Sequence, residues 1–156
     1  MFYRLDMTTF VISGPYTSTT TTDAVTKLLN GALSDATTGT EAMMTNSQCT
    51  VDSFSVTSAG GGGPPTICGT NSNEHMYVDA SANYCNTLSF ALGSSTGTSR
   101  SWSIQVQQYE CDYNNLAPTG CTQYYFGQSS GTFRTFNYQG GAGKHLASQN
   151  QNVCFR

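Results

Sequence analysis

Short runs in which apolar and polar side chains alternate recur along this chain. The clearest is Trp102-Ser-Ile104-Gln-Val106-Gln, which predicts a strand that turns Trp102, Ile104 and Val106 toward a core. Similar signals predict strands over 2–12, 50–57, 74–79, 88–92, 123–126, 131–138 and 152–156. Strands at regular spacing, with Gly and Asn turns and scarcely any helix, predict an all-β sandwich or barrel.

Residues 16–47 interrupt this pattern. The run from Thr17 to Thr22 is almost all threonine, which favours a solvated loop; the alternative is an O-glycosylated patch at Thr19, Thr20, Thr21 and Thr22. Asp23 follows as a possible helix cap, and Asn30-Gly31 would end the helix. We therefore expect one minor helix, in the 23–30 part of this insert.

The charge content is low and narrows the possible partners. Only 10% of the 156 residues are charged, against about 25% in ordinary domains, and the net charge is −3. The six Lys and Arg residues are scattered singly, so the chain has no basic patch for nucleic acid or for a membrane surface. No run approaches the ~20 apolar residues of a membrane-spanning helix.

The six cysteines indicate an oxidising compartment. They stand at positions 49, 68, 85, 111, 121 and 154, without the close pairs that a zinc module uses. Six cysteines allow 15 connectivities. Sequential pairing is favoured, because each pair would then close one strand–loop–strand unit.

No catalytic pattern emerges from the remaining polar residues. The 60–63 glycine run lacks the Gly-Lys-Ser/Thr ending of a phosphate loop. On a strand, His75 and Asp79 share a face without a third strong metal ligand, which favours a structural histidine. Glu110 and Asp112 are the only close acidic pair, and no Gly-x-Ser-x-Gly elbow surrounds a serine. We predict that the protein is not an enzyme; a hydrolase site assembled from distant residues is the weakest alternative.

The motifs, taken in order, resemble secreted arthropod proteins that carry CUB-like domains. The resemblance rests on Arg4-Leu5-Asp6, Cys49-x-x-Asp52-x-Phe54-x-Val56, Ile67-Cys68-Gly69, His75-Met76-Tyr77-Val78-Asp79, Arg100-Ser101-Trp102-x-Ile104-x-Val106, Leu116-Ala117-Pro118-x-Gly120-Cys121, Phe136-Asn137-Tyr138 and Cys154-Phe155-Arg156. It covers nearly the whole chain except the 16–47 insert.

The resemblance implies an antiparallel jelly-roll sandwich in two parts. Residues 1–113 would form a CUB-like domain whose N-terminal strand is missing, and residues 114–156 the start of a second unit, packed on the first or completing it. It also implies disulfides: Cys49 with Cys68 as the inner cystine, Cys85 with Cys111 as an extra bond, and Cys121 with Cys154 in the second unit. No signal peptide is visible. A secreted protein would then begin upstream of Met1.

For function, the resemblance implies extracellular recognition and assembly. Our first hypothesis is a secreted, non-catalytic structural or interaction protein that self-assembles through sheet edges into oligomers or filaments. The alternative is a calcium-dependent module that binds a protein or a glycan. Asp52 is then the candidate calcium ligand, with Glu41 in reach from the insert, although calcium needs 6–8 oxygen ligands.

Overall fold

The protein is described here from a computed structural model. The structure describes residues 1–15, 48–58, 63–80, 85–94, 97–141, 143, 146 and 149–156. Within these ranges it has seven strands, which are β1 (Phe2–Val11), β2 (Asp52–Thr57), β3 (Glu74–Asp79), β4 (Thr87–Leu92), β5 (Ser101–Tyr109), β6 (Gln123–Tyr125) and β7 (Val153–Phe155). The predicted helix at 23–30, the Thr19–Thr22 patch, Glu41 and His145 lie outside the described residues.

Two antiparallel sheets face each other across the main core. One has the strand order β3-β1-β5, and the other pairs β2 with β4. Buried side chains from both sheets meet there; Phe10 of β1, for example, contacts Phe54 of β2 edge to face with ring centroids 5.4 Å apart. The prediction of an antiparallel, disulfide-bonded β-sandwich is confirmed.

A β-bulge in β1 explains how one strand fills the core along its whole length. The pairing of β1 with β5 shifts between Met7 and Thr9. Before the shift the buried side chains stand at odd positions, Leu5 and Met7; after it they stand at even positions, Phe10 and Ile12. An extra residue in one strand exchanges the faces on which successive side chains lie. The bulge therefore keeps apolar groups inward on both sides of it.

Two of the three predicted disulfides are formed. Cys49 bonds to Cys68, and Cys121 bonds to Cys154. The third pairing is corrected, because Cys85 and Cys111 are exposed free cysteines. Their side chains face different neighbours: Cys85 lines a cavity with Leu88 and Val106, whereas the Cys111 Sγ lies 2.9 Å from the Met1 amine.

The C-terminal part, residues 114–156, shares its packing with the rest of the chain. Phe136 and Leu146 are buried in the same core as the two sheets. Tyr124 and Ala117 pack on Tyr77, on the other face of β3. Strand β3 is consequently buried on both faces, and residues 114–156 complete its outer side.

Two details of this part differ from the sequence expectation. Strands β6 and β7 pair in parallel, whereas antiparallel pairing was predicted throughout. The strand predicted over 131–138 does not form. Asn137, near its end, adopts a positive φ angle of 61°, which is incompatible with an extended strand. A turn there lets Phe136 enter the core.

Candidate functional site

Asp52, the predicted calcium ligand, is the first residue of β2 and is completely buried. Its Oδ2 accepts hydrogen bonds from the Ser13 backbone N–H (2.7 Å) and from the Arg100 Nε (2.7 Å). Its Oδ1 accepts from the Gly93 N–H (2.9 Å) and from the Arg100 Nη2 (2.9 Å). The donors follow β1, follow β4 and precede β5. One carboxylate thus clamps four strands at one end of the sandwich.

This environment opposes calcium at Asp52. The hydrogen bonds from Arg100, followed by those from the Ser13 and Gly93 backbone, hold the pKa of the carboxyl well below its ordinary value. Calcium would have to displace the partly exposed Arg100 guanidinium and then recruit several more oxygen ligands. Among the described residues no three His, Cys, Asp or Glu side chains gather into a possible metal site. Among the described residues, the donors around Asp52 are N–H groups, not the oxygen ligands that the ion requires.

The Asp52 clamp depends on Arg100, which sequence reasoning did not connect with it. The guanidinium also donates to the Gly93 carbonyl (2.7 Å) from Nη2. The two residues are 48 positions apart, so no local pattern joins them. The one available signal was an arginine directly before the chain's most regular strand.

A second polar cluster joins the C-terminal part to the loop after Cys68. The Asn137 backbone N–H donates to the Asn71 Oδ1 (2.6 Å), and the Thr70 N–H donates to the Asn137 Oδ1 (3.1 Å). The Asn71 side chain also donates to the Cys68 carbonyl (3.1 Å). A Cβ on Gly69, whose φ is +81°, would lie 2.0 Å from the Asn137 Oδ1. Glycine is required for this close approach.

His75 has a structural role in the contact between β3 and the C-terminal part. Its Nε2 accepts the Tyr124 backbone N–H (3.3 Å), and its ring packs edge to face against Tyr77 and Tyr125. Burial, together with the nearby Arg4 guanidinium, lowers the histidine pKa to about 4. The ring is therefore neutral at physiological pH and able to accept this hydrogen bond.

The acidic residues that flank the histidine strand have separate surroundings. Glu74 accepts a hydrogen bond from the Gln123 Nε2 (3.0 Å), and burial raises the pKa of its carboxyl. The pKa of Asp79 is also raised by burial. Glu110 and Asp112, the close acidic pair, are exposed in the turn after β5. None of these carboxylates is paired with His75 in a catalytic geometry.

The largest departure from an ordinary sandwich is an open side between β4 and β5, the edge strands of the two sheets. Trp102 and Val106, which were expected to point into the core, lie instead along the opening and are 42% and 51% exposed. Leu92 of β4 is 47% exposed on the same side. Trp102 stacks on Phe90 across the opening, with centroids 4.3 Å apart. We call this surface, formed by β4 and β5, the open edge.

The open edge carries no charge. Neither β4 (TLSFAL) nor β5 (SWSIQVQQY) contains an ionisable Asp, Glu, Lys, Arg or His side chain. Among the described residues, neither strand has a second partner on its outer side. An uncharged edge with exposed apolar side chains is a surface for strand addition.

The fold and these surfaces define an all-β, disulfide-bonded protein whose most distinctive surface is suited to contacts with protein. The family model of the animal CUB domain matches residues 118–156. No curated protein and no solved structure matches the chain. Within the described residues, no helix is long and apolar enough to span a membrane.

The match covers the segment that was predicted to begin a second CUB-like unit. A CUB domain, together with the disulfides, is typical of extracellular proteins and suggests a protein–protein interaction module, generally without catalytic activity. The resemblance of residues 1–113 to the same family, and an arthropod origin, stay predictions.

Proposed function

We propose that this protein is a secreted, non-catalytic structural or interaction protein that assembles with copies of itself through its sheet edges. The observation that carries the proposal is the open edge. Its strands offer backbone hydrogen-bonding groups and exposed apolar side chains, including Trp102 and Val106, in one continuous uncharged surface.

Low charge supports self-association rather than recognition of a charged partner. A soluble protein keeps its copies apart with net charge and with charged edge strands. Here 10% of residues are charged, and two of the acids are used in ion pairs, Asp52 with Arg100 and Asp6 with Arg4. Little electrostatic repulsion remains at the open edge.

A second exposed surface would allow assemblies longer than a dimer. Phe155 of β7 is 75% exposed and Phe133 is 57% exposed, and both line a groove of ≈ 510 Å³ beside β6 and β7. Two different contact surfaces on one molecule allow open chains of copies, whereas a single two-fold contact closes at the dimer. Filaments would need both surfaces.

Sedimentation velocity over a wide concentration series tests the proposal, with negative-stain microscopy at the highest concentration. We expect the weight-average mass to rise above that of the monomer as concentration increases. A matched comparison is the variant Phe155→Ser, which should still dimerise and form fewer long assemblies. A monomer at every concentration would contradict self-assembly.

A further inference from the structure

The geometry points to a specific contact within this assembly: we propose that β5 pairs with β5 of a second copy, antiparallel, about a two-fold axis at Gln105. The inference rests on the proposed self-association and names its partner strand and register. It joins two three-stranded sheets into one continuous sheet of six.

The outer edge of β5 has none of the features that natural edge strands use against pairing. It contains no lysine, no proline and no inward-pointing charge, and it is the longest strand in its sheet after β1. The β-bulge beside it lies in β1, on the protected side. Such an edge is a template for another strand.

The charges at the two ends of β5 favour the antiparallel orientation, with Arg100 keeping its ion pair to Asp52, which weakens but does not reverse the preference. Arg100 precedes the strand and Glu110 follows it. Pairing centred on Gln105 sets Arg100 of each copy opposite Glu110 of the other, at both ends. A parallel arrangement would set arginine beside arginine and glutamate beside glutamate, which is unfavourable. Moving the centre by one residue in either direction separates the opposite charges.

The same register matches the side chains along the strand. Because the positions of paired residues sum to 210, Ile104 faces Val106 of the second copy on the inner face. On the outer face Gln105 meets Gln105 and Ser103 meets Gln107. At the centre of the strand apolar groups therefore pair with apolar groups, and amides and hydroxyls with each other, which stabilises cross-strand contacts, while Trp102 lies opposite Gln108.

Pairing in this way also covers the exposed apolar surface. Val106 and Trp102 lie on the inner face of β5, where the second copy's strand would continue the sheet beside them. Leu88, which is 39% exposed, lines the same side of the sandwich as Val106. The second copy removes these side chains from water, which drives association.

Charge substitution at the two-fold axis tests the register. Gln105→Lys sets two lysines opposite each other, and we expect the dimer dissociation constant to rise roughly tenfold at low ionic strength. Ser103→Lys is the control, because it lies on the same strand and face, has the neutral Thr9 as its β1 neighbour and meets Gln107 of the second copy; we expect a change below about threefold. Mixing Gln105→Lys with Gln105→Glu should restore dimers, as heterodimers.

Engineered disulfides give an independent readout that does not depend on affinity. In a Cys85→Ser, Cys111→Ser background, Gln105→Cys should cross-link to itself under mild oxidation. Ser101→Cys alone should not, because the two copies of position 101 lie about 27 Å apart in this register. Ser101→Cys combined with Tyr109→Cys should cross-link, since those positions are paired.

The outcomes separate this inference from the proposed function. Dimers that ignore Gln105→Lys, or cross-links in another register, overturn the β5 pairing and leave self-association standing. A protein that stays monomeric overturns both. A monomer in which residues 16–47 cover β5 would show that the edge is filled from within the chain, which also refutes the pairing.

Discussion

Replacing Asp52 with Asn is the sharpest test of the clamp at the end of the sandwich. The change keeps the size of the side chain and removes its charge. An asparagine Oδ1 can still accept from two donors, but its amide group would face the other two N–H groups, and Arg100 would lose its counter-ion. Removing one partner of a buried ion pair costs about 3–5 kcal/mol.

The cost should lie near the lower end of that range because Arg100 can turn toward water. Its side chain is 22% exposed, whereas Asp52 is fully buried. We therefore expect a loss of about 3 kcal/mol in the free energy of unfolding, or roughly 6–12 °C in Tm. Urea unfolding followed by the fluorescence of Trp102, the single tryptophan, measures it.

Asp6→Asn provides the matched control. The Arg4–Asp6 pair has the same chemistry, but its side chains are 29% and 24% exposed, so its loss should cost below about 1 kcal/mol. Calcium, added at several times the ~1 mM that weak extracellular sites require, should leave the Tm of the unmodified protein unchanged. Equal losses in the two variants, or stabilisation by calcium, would refute this account of Asp52.

Three further predictions follow from the described contacts. The pKa of His75 is about 4 in the folded chain and near 6.5 when unfolded, so the unfolded state binds more protons between these two pH values. Between pH 7 and pH 4.5, the free energy of unfolding of the unmodified protein should therefore fall by about 2 kcal/mol more than that of the His75→Gln variant. Parallel pH profiles for the two proteins would contradict this. Phe136→Ala should lower the free energy of unfolding by about 3–5 kcal/mol because it leaves a cavity in the core, whereas Phe133→Ala, at an exposed position, should lower it by less than about 1 kcal/mol. Equal losses in the two variants would show that residues 114–156 are not part of the core. Native alkylation should label Cys85 and Cys111 and spare the other four cysteines, and a peptide linking the two would overturn their assignment as thiols.

Local periodicity predicts the strands well where one face of a strand meets the core. β3 begins and ends at the predicted residues, and β5 follows its alternating pattern. The pattern fails around Asn137, because hydrogen bonds to Asn71 and Thr70 stabilise a left-handed turn there. Those partners are more than 60 positions away, so nothing in the local sequence announces them.

The alternation in β5 predicts which face of the sheet each side chain lies on, but not whether that face is covered. It correctly assigns Trp102 and Val106 to the inner face, but it cannot reveal that the neighbouring strand position is vacant among the described residues. An inward apolar side chain at a sheet edge and one in a closed core have the same sequence signature. Only the strand order distinguishes a buried position from an interface.

The contacts of Asp52 are likewise beyond the reach of local sequence, and they join the clamp to the open edge. The Cys-x-x-Asp spacing fixes the carboxylate on β2, whereas its role depends on what the rest of the fold brings to it. The fold brings Arg100, the residue directly before β5. The buried carboxylate thereby fixes where the edge strand starts. If β5 pairs as proposed, Arg100 has two roles: it holds one end of the sandwich together through Asp52, and it lies opposite Glu110 of the second copy.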